Sequence, residues 1–303
     1  MDSRELEIFL VVAEQLHFGR ASQLCHLSPS ALTRTVQRLE QQVGQSLFVR
    51  NKREVHLTAA GEQFRLYASE SLLKWSLFKQ ELSQDQTISG SLSIYASITA
   101  VYSLLPDLLE DYRQTYPAVQ LELRTGAAEQ AVIQVQRGEI DLAVAAWPDY
   151  QQPRIEFLPI TPTPLVFIAP VRSTFTLPMD DEGSLDMARV PLVVPQEGLS
   201  RRRLNRWLKE HHVTPNISSE ISGNEAIIAM VRLGGGVGIV PELVLERSPF
   251  RDDVVVIDKA PQLEPYVVGL CCTQLNLQRP SVAAFWQLAE QHGATPNGGD
   301  SST

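Results

Sequence analysis

Residues 18–39 read FGRASQLCHLSPSALTRTVQRL, in which two short helical patterns are separated by a turn. Within this segment, Ser28 followed by Pro29 is a strong helix start, because serine caps a helix N-terminus and proline fits the first helical position. The first helix is expected over about residues 20–25, and the second from Pro29 to about residue 42. This order predicts a helix-turn-helix, a motif that places its second helix in the major groove of duplex DNA.

The second helix of this motif has an apolar face and a polar face. Leu32, Val36 and Leu39 recur at three- and four-residue spacing and are expected to face the core. The opposite face carries arginine and hydroxyl side chains, which can bind base edges or phosphates; the alternative is a face that is simply solvated. The residues predicted to contact DNA from the two helices are Arg20, Ser28, Pro29, Ser30, Thr33, Arg34 and Arg38.

The segments that flank the motif complete a small winged domain, which is expected over residues 1–58. Ser3 is expected to cap a scaffold helix, and Gly44 is expected to end the second helix of the motif. Residues 47–57 predict a short hairpin, a wing, whose basic tip can lie along phosphates or enter the adjacent minor groove. The residues predicted to contact DNA from this tip are Arg50, Lys52 and Arg53.

A long helix is predicted from the capping residue Thr58 to about Gln84, followed by a hinge near residues 84–90. Its apolar positions exceed what a small winged domain needs to cover, so pairing with a second copy of the chain is expected. A linker and dimerisation segment is therefore predicted over residues 59–89. The apolar positions are Phe64, Tyr67, Leu72, Trp75, Phe78 and Leu82.

The composition, with 44% hydrophobic and 20% charged residues in a chain of 303, fits a globular protein of two or three domains. The net charge of −9 is uneven along the chain. Residues 1–86 hold ten basic and ten acidic residues, whereas residues 87–303 hold sixteen and twenty-five. Residues 17–65 hold seven basic and three acidic residues, so positive charge accumulates where binding to nucleic acid requires it.

Signal-peptide and membrane-span patterns are not recognised in the sequence, so a cytoplasmic location is expected. The cysteines are three in number, and their spacing supports neither a disulfide framework nor a zinc site. Cys271 and Cys272 are expected to pack as small apolar residues rather than to act as a redox pair. No metal and no cofactor are predicted.

After residue 90 the pattern changes to short apolar strands that alternate with helices, which predicts α/β structure with mostly parallel sheets. A helix is expected over about residues 102–116, and another over residues 127–137. Prolines near residue 162 suggest a crossing into a second lobe. The predicted domain covers residues 90–303, with lobe I over about 90–161 and 266–303 and lobe II over about 162–265.

Two lobes joined by two crossings form a cleft, which is a usual place for a small ligand. Helix N-termini, hydroxyl groups and arginines suit a small hydroxylated organic acid anion. The alternative for the hydroxyls is simple helix capping, and at least one arginine of the triplet 201–203 must face solvent. The residues predicted to bind the ligand are Ser97, Thr99, Thr125, Gly126, Gln196, Ser200, Arg201, Arg202 and Asn224.

Recognisable catalytic motifs are not found. The glycine-rich segment 234–241 follows a predicted helix and precedes a strand, the reverse of a dinucleotide-binding motif, so it is interpreted as structural. A DNA-binding protein with a ligand-sensing domain is therefore favoured over a catalyst. Two alternatives remain open: an enzyme that processes a keto acid in the cleft, and an architectural DNA-binding protein whose second domain serves assembly alone.

The chain resembles LysR-type transcriptional regulators over essentially its full length. That resemblance implies a winged helix-turn-helix, a dimerising linker helix and a two-lobed effector domain similar to periplasmic solute-binding proteins. It further implies duplex DNA, RNA polymerase and a small-molecule effector as partners, and homodimers that assemble into tetramers. The matching segments are Leu6–Leu10, His17–Ala21, Ser28–Arg34, Leu39–Gly44, Leu47–Arg50 and Leu57–Gly61.

Within that family the chain is most similar to the IlvY branch, on the basis of three segments: His17–Arg20, Ser97–Pro106 and Arg201–Arg203. The resemblance implies an activator of acetohydroxy acid isomeroreductase expression in branched-chain amino acid (isoleucine–valine) biosynthesis. It also implies an effector of the acetolactate or acetohydroxybutyrate class. Regulation of another pathway by a different organic anion is the alternative.

Overall fold

A computed structural model describes residues 1–50, 54–82, 87–150, 152–171 and 176–294. The chain divides into two compact units, residues 1–87 and 88–303. Of the residues predicted at the wing tip, Lys52 and Arg53 lie outside the described residues.

The first unit is a three-helix core followed by a hairpin and a long helix. The predicted helix-turn-helix is confirmed, with both helices slightly longer than expected. Ser28 caps the second of them through its side chain, Pro29 opens it, and Gly44 ends it in the left-handed conformation with φ of 76°. The elements are α1 (Ser3–Gln15), α2 (Phe18–Leu24), α3 (Pro29–Val43), β1 (Phe48–Arg50), β2 (Val55–Leu57) and α4 (Ala59–Glu81).

The cap predicted for the first helix is wrong by one residue. Asp2, not Ser3, is the N-cap, and its side chain accepts a hydrogen bond from the backbone N–H of Glu5 at 2.8 Å. The Glu5 carboxylate in turn accepts from the backbone N–H of Asp2 at 2.9 Å. This reciprocal capping box satisfies two helix-end donors at once, which a serine at position 3 does not do.

Leu32, Val36 and Leu39 of α3 are fully buried, as predicted. They pack in one cluster with Phe9 of α1 and Phe64 of α4, whose rings meet edge to face with centroids 4.7 Å apart. The start of α4 therefore belongs to the core of the DNA-binding unit. Burial of these aliphatic and aromatic side chains stabilises the unit by roughly 1.5–3 kcal/mol for each side chain.

The second unit contains two five-stranded sheets with helices around them. The chain crosses from the first sheet to the second at Pro164 and returns between residues 256 and 266. The elements of lobe I are β3 (Gly90–Ala96), α5 (Ile98–Ser103), α6 (Pro106–Thr115), β4 (Val119–Thr125), α7 (Ala131–Gln136), β5 (Leu142–Ala146), β6 (Ile155–Thr163), β12 (Tyr266–Thr273) and α11 (Pro280–Ala294). Those of lobe II are β7 (Leu165–Pro170), β8 (Pro191–Pro195), α8 (Leu199–Glu210), β9 (Asn216–Ile221), α9 (Asn224–Arg232), β10 (Val237–Pro241), α10 (Glu242–Glu246) and β11 (Val254–Val256).

Both sheets are mixed, so the prediction of mostly parallel sheets is wrong for half of the pairings. The strand orders are β4-β3-β5-β12-β6 and β11-β7-β10-β8-β9. In lobe I, β12 runs antiparallel to both β5 and β6, and in lobe II β7 runs antiparallel to β10 and β11. The crossings produce this arrangement, because a strand that returns from the other lobe enters its sheet from the opposite end.

Prolines explain two further departures from the prediction. The crossing predicted from Pro159, Pro162 and Pro164 is found at Pro164, whereas Pro159 and Pro162 lie inside β6, an edge strand that tolerates residues without an N–H donor. Pro106 divides the helix expected over 102–116 into α5 and α6, because it occupies the first position of α6. The helix predicted over 127–137 begins with a short 3₁₀ turn, Ala128–Gln130, before α7.

Cys271 and Cys272 lie fully buried in β12, at the centre of the lobe I sheet. Burial raises the pKa of each thiol to about 12, so both are protonated at neutral pH. A protonated, inaccessible thiol is a poor nucleophile, which agrees with the interpretation of these cysteines as packing residues.

Candidate DNA-binding and effector sites

The polar face of α3 is presented to solvent, as a groove-reading helix requires. Ser30 and Arg34 are exposed, and Arg34 forms no ion pair among the described residues. The Thr33 hydroxyl donates to the backbone carbonyl of Pro29 at 2.8 Å, which leaves its oxygen lone pairs for an external donor. Ser28 is engaged as the N-cap and by the Ser30 hydroxyl at 3.1 Å. Arg20 of α2 is also exposed.

Arg38 has a structural partner that the sequence pattern does not reveal. Its guanidinium forms an ion pair with the carboxylate of Glu5, a residue of α1 that is only 5% exposed. The pair joins α1 to α3 and compensates the charge of a buried acid. Arg38 therefore contributes to the stability of the domain, while the exposed Arg20 and Arg34 are available to an external anion.

The wing is present as the antiparallel pair β1 and β2, with Phe48 opposite Leu57 and Arg50 opposite Val55. Phe48 anchors β1 in the core of the unit. The two strands of the hairpin are thus packed against the core that the helix-turn-helix shares.

The long helix α4 has two different apolar regions. Phe64 is buried in the core of the DNA-binding unit and is not available to a partner chain, contrary to the prediction, whereas Leu72 is partly buried against the same core. The stretch beyond them remains open: Trp75 and Phe78 stack with centroids 5.8 Å apart and are each about half exposed. The name α4 stripe is used here for three exposed apolar residues of α4, Tyr67, Trp75 and Phe78, together with Leu82, which directly follows the helix; Leu66, which lies on another face of α4, is exposed as well.

A cavity of about 260 Å³ lies between the two lobes. Lobe II contributes the N-terminal turn of α8 with Ser200, together with Arg202 and Asn224, three of the predicted ligand-binding residues. Lobe I contributes the segment 128–136 and Tyr266, a residue that is 9% exposed. Burial raises the pKa of Tyr266 to about 12, and the hydrogen bond with the Ser200 side chain acts in the opposite direction.

The remaining predicted ligand residues do not line this cavity. Ser97 caps α5 by accepting from the backbone N–H of Ala100 at 3.2 Å. The buried Thr99 hydroxyl donates to the carboxylate of Glu225, so it joins lobe I to lobe II. Thr125 and Gln196 are exposed at strand ends, and Gly126 lies beneath the Tyr95 hydroxyl, where a Cβ atom would approach to 2.2 Å.

The three consecutive arginines of α8 have three different environments. Arg201 donates to the carbonyl of Pro195 at 3.0 Å and to the carboxylate of Glu220 at 2.8 Å. Arg203 is 6% exposed and donates two hydrogen bonds to Asp149, at 2.8 and 2.6 Å. Arg202 alone of the three lines the cavity. Its neighbours are thus structural, and the interlobe pair of Arg203 and Asp149 holds α8 against lobe I.

Sequence reasoning missed several polar residues of the cavity, among them Glu129, Glu197 and Tyr266. Glu129 lies in a 3₁₀ turn and Glu197 precedes α8, but a carboxylate repels an anion, so the predicted chemistry of the ligand does not point to either residue. Tyr266 was recognised only as the start of the return strand. No signal in the sequence pairs these residues, because they come from three separate segments.

Within the described segments, no group of histidine, cysteine and acidic side chains has a geometry suited to a metal ion. In the same residues, none of the helices is both long and apolar enough to cross a lipid bilayer.

A helix-turn-helix with an exposed recognition face, followed by a two-lobed domain with an interlobe cavity, defines a DNA-binding regulator with a ligand-binding domain. Family models agree: residues 3–62 match the bacterial regulatory helix-turn-helix of the lysR family, and residues 85–294 match the LysR substrate-binding domain. The chain belongs to the LysR family of bacterial transcriptional regulators, which assigns it to regulators rather than to enzymes.

Relatives along the full length support the same assignment. The chain is 38% identical over 295 residues to the HTH-type transcriptional activator IlvY of Salmonella typhimurium, covering 95% of this chain and 99% of the relative. It is also 38% identical to the IlvY regulator of Escherichia coli, covering 96% and 100%. A full-length OxyR variant from Pseudomonas aeruginosa shares the fold, with a TM-score of 0.70, 23% identity and coverage of 96% and 94%.

Proposed function

We propose that this regulator activates genes of branched-chain amino acid biosynthesis in the cytoplasm in response to a small acetohydroxy acid. The observation that carries the proposal is the 38% identity to IlvY activators across 95% of the chain, which includes both the DNA-binding and the ligand-binding domains. A regulator of another pathway that senses a different organic anion is the alternative.

The interlobe cavity is the proposed effector site. Its volume of about 260 Å³ suits a small organic acid, and Arg202 supplies a positive charge for a carboxylate. The N-terminal turn of α8, with Ser200 and no side-chain cap, adds N–H and O–H donors at the positive end of the helix dipole. Asn224 supplies a further amide at the first position of α9.

Effector binding can regulate DNA contacts only if the ligand binds two arrangements of the protein unequally. A site whose walls come from both lobes can bind the ligand unequally in two arrangements, because a change in lobe closure alters the distance between the ligand contacts of one lobe and those of the other. The proposed switch is therefore a change of closure that is transmitted through homodimers, assembled as tetramers, to the promoter DNA and RNA polymerase.

The α4 stripe is the proposed dimer interface. The four large apolar side chains of the stripe remain exposed along about four helical turns. Exposed apolar residues aligned in this way favour pairing with another apolar surface. A second copy of the chain offers the same stripe, so a two-fold symmetric pairing of α4 helices covers both at once.

For DNA recognition, Arg34→Ala is expected to lower the affinity for the specific operator by about 1–3 kcal/mol, because an arginine bidentate to guanine contributes that much discrimination. Competition titrations at fixed salt measure the loss. The matched variant Arg38→Ala is expected to lower the melting temperature as well as the affinity, since it removes the guanidinium from the buried Glu5 and leaves the N-terminal amine at 3.6 Å. A loss for Arg34→Ala that is equal on unrelated DNA would identify a phosphate contact instead.

The decisive experiment is a titration of 2-acetolactate into the purified protein bound to fluorescent DNA from upstream of its own gene, read by anisotropy against scrambled competitor. Selective binding that changes with ligand supports both the regulator and the effector assignment. Selective binding that is indifferent to the ligand rejects that effector. Absence of selective binding to this DNA rejects the proposed target.

A further inference from the structure

The wall of the interlobe cavity that faces α8 carries a carboxylate. Glu129 lies in the 3₁₀ turn of lobe I, and its side chain lies beside Gly198, the residue that precedes α8 in lobe II. A Cβ atom at Gly198, the residue that precedes α8, would lie 2.5 Å from Oε1 of Glu129 and 2.9 Å from its Cγ. Gly198 has φ of +94°, a conformation that favours glycine, and the absence of a Cβ atom leaves room for the Glu129 carboxylate beside it.

The charges that line the cavity are unbalanced toward the acidic side. Glu129 and Glu197 contribute carboxylates, Arg202 contributes the guanidinium, and the other lining residues are neutral. Glu129 and Glu197 are exposed to the cavity and its solvent. The electrostatic influence of Glu129 extends to Tyr266: burial is the main cause that raises the pKa of this phenol, and the Glu129 charge acts in the same direction.

These charges constrain the chemistry of the ligand. One carboxylate can pair with Arg202 and the α8 N-terminus, but a second carboxylate would meet Glu129 or Glu197 without a further cation to compensate it. An ionised carboxylate accepts hydrogen bonds and donates none. A ligand hydroxyl is therefore a suitable partner for Glu129, whereas a ketone or an alkyl group at the same place displaces water from the carboxylate and offers it no donor in return.

We propose that Glu129 determines the specificity of the effector site: it accepts a hydrogen bond from the ligand's hydroxyl group and thereby selects hydroxy monocarboxylates over dicarboxylates and over acids that lack the hydroxyl. The proposal rests on the proposed function, since it concerns the same interlobe site. It adds an acidic selectivity residue from lobe I to the cationic anchor from lobe II, and it makes recognition of the ligand depend on both lobes.

The test compares three probes by calorimetric titration of the full chain: 2-acetolactate, 2-methylacetoacetate, which lacks only the hydroxyl, and methylmalonate, which carries a second carboxylate. The wild-type protein is expected to prefer 2-acetolactate over 2-methylacetoacetate by about tenfold or more, because one unpaired hydrogen-bonding group in a binding site has about that effect. In Glu129→Gln the preference is expected to fall to about threefold or less, with a gain of methylmalonate binding.

Glu197→Gln is the matched control, because it removes the other carboxylate of the cavity and should keep the preference for the hydroxyl. Melting temperatures of both variants verify that the fold is intact. If wild type binds 2-acetolactate but Glu129→Gln keeps the preference, or if Glu197→Gln alone abolishes it, the role of Glu129 is rejected while the proposed effector stands. If wild type binds none of the probes, the proposed effector class falls, and the role of Glu129 falls with it.

Discussion

Trp75→Asp is expected to convert the protein to monomers at concentrations where the wild type is dimeric, with a parallel loss of operator affinity. Trp75 is about half exposed in the α4 stripe and stacks on Phe78. Central aromatic residues of an interface typically contribute 2 kcal/mol or more, and a two-fold symmetric interface loses that contribution twice, so we expect a loss of about 4 kcal/mol. Analytical ultracentrifugation over a range of concentrations measures the dimer constant directly.

Ser76→Asp introduces the same charge one residue further along and serves as the control. At 100° per residue, position 76 lies about 140° from the centre of the α4 stripe, so it should not face a partner helix. Both variants should keep the wild-type helix content measured by circular dichroism, because neither residue belongs to the buried core of the DNA-binding unit. Equal effects of the two substitutions on the dimer constant would reject the stripe as the interface.

The helix-turn-helix was predictable because its determinants are local. The serine cap, the proline at the first helical position and the terminal glycine act within α3 itself, and the buried positions Leu32, Val36 and Leu39 follow the helical period. A capping residue can nonetheless be displaced by one position, as Asp2 shows, when a reciprocal pair with Glu5 satisfies two donors.

The strand directions of the second unit were not predictable from alternation of strands and helices alone. Local pattern locates β12 correctly from Tyr266, but its antiparallel pairing with β5 depends on where the chain returns from lobe II, which is a property of the whole topology. Prolines do not mark the end of a strand reliably, because their effect depends on whether the strand lies at the edge of the sheet, which is also a property of the whole topology. A proline removes a hydrogen bond from a central strand, but an edge strand tolerates it, and Pro162 lies in the edge strand β6.

For the effector site, the sequence indicated the α8 N-terminus but could not assign roles within its arginines. Consecutive helical residues point in directions 100° apart, so only the packing decides which one meets the cavity. Arg203 meets Asp149, which is 54 residues away in the chain, and Arg201 meets Glu220 across the sheet edge. Such distant acidic partners are invisible to a local pattern, and so is Glu129.

The second large effect is expected at the ion pair between the lobes: Asp149→Ala should lower the free energy of unfolding of the effector domain by about 2–4 kcal/mol. The Arg203 side chain is 6% exposed, and removal of Asp149 leaves its guanidinium with the contact to Glu264 at 3.0 Å. An uncompensated buried charge costs about 3–5 kcal/mol, and we reduce that figure because Glu264 remains and the Asp149 side chain is 33% exposed. Urea denaturation followed by tryptophan fluorescence measures the change.

Asp253→Ala is the matched control, because its partner Arg232 forms an ion pair of 2.6 Å in which both side chains are 45% exposed. Exposed pairs contribute about 0–1 kcal/mol, so the two aspartate substitutions should differ by at least about 1 kcal/mol. The double variant Asp149→Ala with Arg203→Met should recover part of the loss, since an apolar side chain in the same place needs no counter-charge. Equal losses for the two single variants, or no recovery in the double variant, would show that the lobes are held together by other contacts than this pair.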